Sequence, residues 1–207
     1  MGDRKATEAR LLKKAGELIE REGFEALGIN RLAGEAGVSK VLIYRYFGGL
    51  DGLLRRWARE AHFWNRFSPG ELQLQGLSQG ELRLRAEDLF VSQWRFLQTQ
   101  PAFRALLRWH LGSDTPLSRE IMAEVETAGR QVMEAFLAEL TTEDPEEELS
   151  GLVALMIGGI YYLGLMADRA DVFNRLPLHL PDGADPVESS IRRFCGVLIS
   201  FRGDGDS

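Results

Sequence analysis

The sequence contains few of the residues that build covalent or metal-dependent sites. It has one cysteine, Cys195, in 207 residues, which excludes a disulfide within the chain and fits a reducing cytoplasm. Its three histidines are scattered and none lies at a Cys/His spacing typical of zinc sites. No glycine-rich phosphate loop opens a helix after a strand. We therefore predict no metal, no cofactor and no catalytic activity.

Export and membrane signals are also weak. The N-terminal segment MGDRKATEARLLKK carries charges where a signal peptide needs an apolar run, so we expect no export. Residues 150–167 lack charge over 18 positions, which is near the length of a membrane span. Glycines, an adjacent tyrosine pair and acidic flanks without a basic cluster argue against insertion. We interpret this segment as a buried helix or a subunit interface in a cytoplasmic protein.

The net charge of -6 excludes a polycationic protein that binds nucleic acids without regard to their sequence. The charge is, however, unevenly distributed along the chain. Residues 1–60 hold 12 Lys and Arg against 9 Asp and Glu, whereas residues 61–207 hold 13 against 22. A basic front end on an acidic body suggests two functions in one chain.

Helical periodicity runs through nearly the whole sequence. Apolar stripes with i, i+3, i+4 spacing recur, beginning with a helix that Thr7 caps and Gly23 ends. We find no useful alternating strand pattern, and proline and glycine mark loops at 68–80 and 174–186. The sequence thus predicts an all-α protein of roughly nine helices. We expect a DNA-binding domain at 1–49, a ligand-binding and dimerisation domain at 50–201, and a polar tail at 202–207.

Residues 23–47 carry the strongest motif. They predict a helix, a tight turn on Gly37 with positive φ, and a second helix capped by Ser39. Ala33 is the small residue that such helices need where they approach each other. The apolar residues that would hold the second helix in place are Val38, Ile43 and Phe47.

The outward face of that second helix suits DNA. It combines cations and phenols, which bind phosphates, with apolar groups that contact thymine methyls. Its members are Lys40, Val41, Leu42, Tyr44, Arg45 and Tyr46.

Residues 11–54 closely resemble the DNA-binding segment of the TetR family of bacterial transcriptional regulators. The shared features are the Gly-Phe after the first helix, the Leu-Ala-x-x-Ala-Gly-Val-Ser-Lys turn and the closing Ile-Tyr-Arg-Tyr-Phe. The resemblance implies that Lys40, Tyr44 and Tyr46 bind the sugar-phosphate backbone or adjacent bases, and that Val41, Leu42 and Arg45 set sequence preference. We add Asn30 and Ser39 to the predicted DNA-binding set. Arg4 and Lys5 are candidates for an arm along the groove.

Two positions depart from the family pattern. Gly28 stands where the family usually has a capping Thr, and Gly49-Leu50 stands where it has a cap followed by Lys. One phosphate-binding cation is therefore missing, and Arg55 or Arg56 are candidates to compensate for it. We expect a shallower salt dependence of DNA binding than in a relative that carries the Lys.

The segment from Leu149 to Asp168 is apolar nearly all round, so most of its sides must be covered. The resemblance implies a four-helix dimer interface that this helix builds with the last one. The alternative is a central core helix in a monomer. The predicted interface residues are Leu152, Met156, Gly159, Leu163, Ile191, Phe194 and Leu198.

The middle helices are rich in aromatic and methionine side chains. They fit an apolar effector pocket with sparse polar groups, although each aromatic residue could equally fill core space. The candidate ligand residues are Phe67, Phe90, Gln93, Trp94, Phe103, Trp109, His110, Met122 and Glu126.

These observations favour a homodimeric repressor that a small, largely apolar molecule releases from a palindromic DNA operator. A helical binding protein that has lost DNA binding is an alternative, and Leu50 in place of Lys supports it. An all-α enzyme is a third hypothesis, for which the sequence offers no recognisable set of catalytic residues.

Overall fold

The computed structural model describes residues 2–67, 72–140, 146–178 and 185–200. Nine α-helices dominate this part of the chain, which confirms the predicted all-α class. The predicted tail at 202–207 lies outside the described residues. The helices are α1 (Gly2–Glu22), α2 (Ile29–Ala36), α3 (Lys40–Phe47), α4 (Leu50–Ala61), α5 (Gln79–Thr99), α6 (Pro101–Gly112), α7 (Pro116–Glu139), α8 (Glu146–Met166) and α9 (Pro186–Ser200).

A short hairpin interrupts the helices where the sequence predicted only a loop. Strands β1 (Val172–Phe173) and β2 (Leu176–Pro177) pair antiparallel. Asn174 and Arg175 form the turn with φ of 47° and 69°, and Asn is among the residues that tolerate this region best. Strands of two residues are too short to show alternation, so the sequence pattern missed them.

The start of α1 also differs from the prediction. The helix begins at Gly2, so Thr7 lies inside it and is buried instead of capping it. The predicted end is confirmed, because the Gly23 amide bonds to the Ile19 carbonyl oxygen at 2.9 Å and Gly23 takes a φ of 85°.

The chain divides into two compact units, each built from two stretches of sequence. One unit comprises Met1–Arg66 and Gln100–Gly129, and the other comprises Phe67–Thr99 and Arg130–Ser207. Helices α4 and α6 both pack on α1, so they belong with the helix-turn-helix in the first unit.

An aromatic cluster explains why α6 belongs to the first unit. The ring of Phe24 stacks on Trp109 of α6 with centroids 4.6 Å apart, and meets Trp57 of α4 edge-on at 5.6 Å. Leu11 and Leu18 of α1 are fully buried in the same unit. Its core therefore draws on α1, α4 and α6 together.

The second unit is organised around α5, which packs against α8 and α9. A Cβ on Gly164 of α8 would lie 3.0 Å from Leu97 Cδ1, so the two helices are in close contact there. Toward α9, Trp94 Nε1 donates to Asp185 Oδ2 at 2.6 Å. Cys195 of α9 is buried, and burial raises the pKa of its thiol to about 12, which keeps it protonated.

Helix α8 has one buried and one uncovered apolar side. Met156 and Ile160 are buried, whereas Leu155 is 73% exposed. By length and composition Leu149–Met166 is apolar enough to span a membrane, yet only 17% of this stretch is buried within the chain. The sequence predicts that most sides of this helix are covered by other parts of the protein. Within the single chain, much of that cover is missing.

The stacking of Phe24 on Trp109 predicts a specific energetic coupling. A double-mutant cycle with Phe24→Leu and Trp109→Leu should give a coupling free energy of about 0.5–1.5 kcal/mol in urea unfolding, because stacked rings contribute beyond their buried area. As a control, Phe24→Leu combined with Phe194→Leu, an exposed aromatic on α9, should be additive. Additivity of the first pair would mean that α6 does not share the core of the helix-turn-helix.

Candidate nucleic-acid interface

The turn between α2 and α3 has the predicted construction. Gly37 adopts a left-handed conformation with φ of 63°, and the Val38 amide bonds to the Ala33 carbonyl oxygen at 3.0 Å. Ser39 caps α3 by accepting a hydrogen bond from the Val41 amide at 3.3 Å. The predicted tight turn and helix cap are therefore confirmed.

Helix α3 has one buried edge and a broad exposed face. Ile43 is fully buried and anchors the helix, whereas Val41 is 63% and Tyr44 56% exposed. Lys40 and Arg45 are exposed, and Leu42 and Tyr46 are half-buried. The structure thus brings the predicted DNA-binding side chains of α3 together, with Ser39 and Asn30 exposed at the starts of α3 and α2.

Ion pairs distinguish the cations of α3 from those around it. Arg21 donates to Glu35 at 2.6 Å, and Arg31 pairs with Glu22. Within the described residues, Lys40 and Arg45 pair with no carboxylate. The positive charge on the exposed face of α3 therefore remains available to phosphate.

The predicted N-terminal arm is instead part of a helix. Arg4 lies in α1, where its guanidinium carbon stands 5.1 Å from the centre of the Tyr46 ring and its Nε bonds to Glu8 at 2.6 Å. The bond to Glu8 raises the pKa of Arg4. Arg4 is thus fixed beside α3 by a cation–π contact and does not extend as a free strand along a groove.

The backbone atoms of α3 and α4 lie in close contact where the two helices are connected. Gly48 and Gly49 take φ of 76° and 130°, and neither supplies a side chain to cap α4. A Cβ on Gly52 would lie only 1.8 Å from the Phe47 carbonyl oxygen. Sequence analysis did not single out Gly52; its one signal was a third glycine within five residues, just inside a helix.

The two arginines considered as substitutes for the missing Lys are already engaged. Arg55 donates to both carboxylate oxygens of Glu120 on α7, at 2.8 and 2.9 Å, and this bond raises its pKa. Arg56 bonds to Glu60 at 2.5 Å. Neither guanidinium replaces the absent cation in this conformation.

The nine candidate ligand residues fall in both units. Phe67, Phe90, Gln93 and Trp94 belong to the second unit, and Phe103, Trp109, His110, Met122 and Glu126 to the first.

Several of the candidates in the first unit contact other residues of that unit. Trp109 stacks on Phe24, and His110 Nδ1 lies 2.9 Å from the hydroxyl oxygen of Ser118. Phe103 is buried, whereas Glu126 is exposed to solvent. In the second unit Phe90, Gln93 and Trp94 are buried on α5.

The predicted interface residues differ in exposure. Met156 and Ile191 are buried within their own unit. Gly159 and Phe194 are exposed, and the half-buried members are Leu152, Leu163 and Leu198. Leu155 and Tyr162, which the sequence analysis omitted, are more exposed than any of these half-buried three.

This arrangement is that of a helix-turn-helix, in which a capped α3 presents cations and phenols. Residues 11–56 match the family model described as "Bacterial regulatory proteins, tetR family". The match covers the helix-turn-helix and the first half of α4, so these residues are similar to the DNA-binding segment of that family.

Solved structures of similar fold cover the chain almost entirely. A TetR-family regulator from Streptomyces coelicolor is 19% identical, with 98% of this chain and 84% of that chain covered and a TM-score of 0.64. A TetR regulator from Agrobacterium tumefaciens is 19% identical over 96% and 94%, with a TM-score of 0.63. NalD, the secondary repressor of the MexAB-OprM multidrug efflux pump in Pseudomonas aeruginosa, is 18% identical over 100% of both chains, with a TM-score of 0.67. No curated protein sequence matches significantly.

The approach of Phe47 to Gly52 predicts a strong effect of one methyl group. Gly52→Ala should destabilise the protein by about 1–3 kcal/mol or more, because the clash is with backbone and cannot be relieved by a rotamer change. It should also weaken DNA binding, since α3 and α4 must move apart.

Gly34→Ala in α2 is the matched control for this change. A Cβ at Gly34 meets nothing within 4 Å, so Gly34→Ala should be neutral or stabilising by up to about 1 kcal/mol. Urea unfolding of both variants checks the pair. Equal stabilities would show that the α3–α4 connection tolerates a side chain at Gly52.

Proposed function

We propose that the protein is a cytoplasmic, homodimeric repressor that binds a palindromic operator through α3 and leaves it when a small molecule binds the helical body. The exposed face of α3, with unpaired Lys40 and Arg45, is the observation that carries the DNA-binding part of this proposal. The likeness of the fold to NalD, which is named a repressor, supports repression over activation.

The contacts on DNA divide by chemistry. Lys40, Tyr44 and Tyr46 bind phosphates, with Ser39 and Asn30 contributing hydrogen bonds at the two helix starts. Arg45 suits the acceptors of guanine, and Val41 and Leu42 suit the methyl group of thymine. The exposure of Lys40 and Val41 in the first turn of α3 supports this assignment, because recognition helices contact the major groove through their N-terminal residues.

A second copy is proposed to cover α8 and α9. One recognition helix reads too few base pairs for specificity, and a two-fold dimer reads two half-sites about 34–36 Å apart or a multiple of that distance. The uncovered apolar side of α8 supplies the surface: Leu155 and Tyr162 stand on either side of Gly158 and Gly159, where a partner helix can approach closely. On α9, Phe194 and Val197 extend the same kind of surface.

Release follows from the spacing of the two α3 helices. Only a dimer with the correct spacing places both helices in the major groove. An effector that binds better to a dimer of another spacing shifts the population away from the DNA-bound form. Three residues of the second unit, Phe90, Gln93 and Trp94 on α5, are the buried candidates for contact with the effector.

A binding protein without DNA-binding activity is the second candidate function. Leu50 replaces the usual Lys, and the nearby Arg55 and Arg56 are held by Glu120 and Glu60. This hypothesis predicts a folded dimer that enriches no sequence from a random duplex library. Enrichment of a palindrome would reject it.

The salt dependence of operator binding tests the role of Lys40. After selection of the operator, the log-log slope of affinity against salt should be on the order of -5, for about six neutralised phosphates. Lys40→Met should weaken binding and make the slope shallower by about 2 in a dimer, because one cation is lost from each protomer.

Arg31→Met is the matched control for Lys40→Met. It removes the same charge from the same motif, but Arg31 is already paired with Glu22 and should leave the slope within about 0.5 of wild type. Equal effects of both substitutions would mean that binding follows net charge and not the face of α3.

The proposed dimer surface predicts a change of mass. Leu155→Arg should convert the protein into a monomer of 23.2 kDa in sedimentation equilibrium, because it places a charge in the apolar contact between copies of α8. Leu84→Arg on α5, where Leu84 is also exposed, should leave the dimer intact. A dimer that survives Leu155→Arg would require another interface.

A further inference from the structure

The polar side chain of Gln93 is buried on an apolar face of α5. Its exposure is 0%, and neither Nε2 nor Oε1 has a hydrogen-bond partner in the described part of the chain. Residues on the same stripe, one to three turns away, are buried and apolar: Leu82, Ala86, Leu89 and Leu97. A fully buried amide without any partner is rare in folded proteins and calls for a physical cause.

The two residues that follow Gln93 do not share this condition. Trp94 Nε1 donates to Asp185, and Arg95 donates to both oxygens of Glu188 at 2.6 Å. Adjacent residues on a helix point about 100° apart, so these bonds lie on the side of α5 toward α9 and do not reach Gln93. Among the described residues, Gln93 is the one side chain whose amide nitrogen and oxygen are both buried without a hydrogen bond.

The surroundings of Gln93 also limit what can satisfy it. No charged residue occupies its stripe, and the buried Glu87 is paired with Arg83 and Arg192. On the flank toward α8, close contact between Leu97 and Gly164 leaves no space for a further group. A partner must therefore come from the side of Leu89 and Phe96, must be largely apolar, and must be uncharged, because a buried ion there would lack a counter-charge.

We propose that Gln93 is the hydrogen-bonding anchor for the effector, and that the effector is a neutral, flat, mostly apolar molecule with a donor and an acceptor side by side. This inference rests on the proposed effector-controlled function. A cis-amide or lactam has the required pattern: its carbonyl accepts from Nε2 and its N–H donates to Oε1.

The same amide couples binding to a conformational change. In this conformation the side-chain amide of Gln93 is buried from solvent and forms no hydrogen bond with the described residues. Opening the core beside Leu89 and Phe96 to admit such a molecule gives the amide two hydrogen bonds that the closed state lacks. The effector thus gains contacts in the open state only, which is the differential affinity that a population shift requires.

The premise is testable without an effector. Gln93→Leu should raise the melting temperature by roughly 2–4 °C, because it replaces an unbonded amide with an apolar group of similar size. Gln93→Met serves as a second variant if the branched side chain does not fit. Gln131→Leu, the same change at an exposed position of α7, should leave the melting temperature nearly unchanged. A fall in melting temperature for both Gln93 variants would show that the amide is bonded in the folded protein, and would overturn the proposal.

The ligand class is tested with three matched probes in calorimetry: 2-quinolone, N-methyl-2-quinolone and naphthalene. Wild type should bind 2-quinolone at least tenfold more tightly than the other two, since only it offers both a donor and an acceptor. Gln93→Leu should lose this preference and bind naphthalene at least as well as wild type does. A wild-type protein without the preference, or one that binds none of the probes, overturns the ligand class.

Failure of the proposed anchor role of Gln93 is distinguishable from failure of the proposed function. Neither the melting temperature nor probe binding involves DNA, and operator selection is measured on the same preparations without a probe. A protein that selects an operator but ignores all three probes loses only the anchor role of Gln93. A protein that prefers 2-quinolone but selects no operator keeps that role and loses the repressor function.

Discussion

The exposed face of α3, which we propose binds DNA, depends on one steric constraint, the contact between the Phe47 carbonyl oxygen and the main chain at Gly52. This contact brings the end of α3 against the start of α4 and so fixes the direction in which α3 leaves the core. Buried Ile43 and the Ser39 cap hold the remaining length of α3. With both ends and one edge fixed, the other side of the helix faces solvent as a rigid array, which is what readout of base edges requires.

The predictable parts of this structure are those that local rules determine. Gly37 in a left-handed turn and Ser39 as a cap follow from conformational preference and hydrogen bonding within a few residues, and both were correctly predicted. The all-α class follows from the apolar period. Thr7 was misplaced because an N-cap preference says nothing about how far a helix extends when charged residues before it, such as Arg4, find partners.

Long-range packing explains what the sequence did not predict. Aromatic side chains such as Trp109 suit either a core or a ligand, and its stack on Phe24, 85 positions earlier, follows from no local pattern. For the same reason no local pattern predicts that α6 belongs with the helix-turn-helix in the first unit. Met156 and Leu155 are adjacent and similarly apolar, so no local property tells which one faces α5 and which one remains uncovered. Gln93 was predicted as one of the sparse polar groups of an apolar effector pocket, and that role stays a prediction.

Charge placement connects these features with DNA binding. Eight of the twelve cations in residues 1–60 have carboxylate partners close by, including Arg21, Arg31 and Arg55. Four have no such partner in the described residues: Lys5 and Arg10 on α1, and Lys40 and Arg45 on α3. The acidic remainder of the chain repels duplex DNA at long range, so attraction is concentrated on the faces that read sequence. A net charge of -6 is then compatible with binding DNA and also weakens the non-specific binding that would compete with an operator.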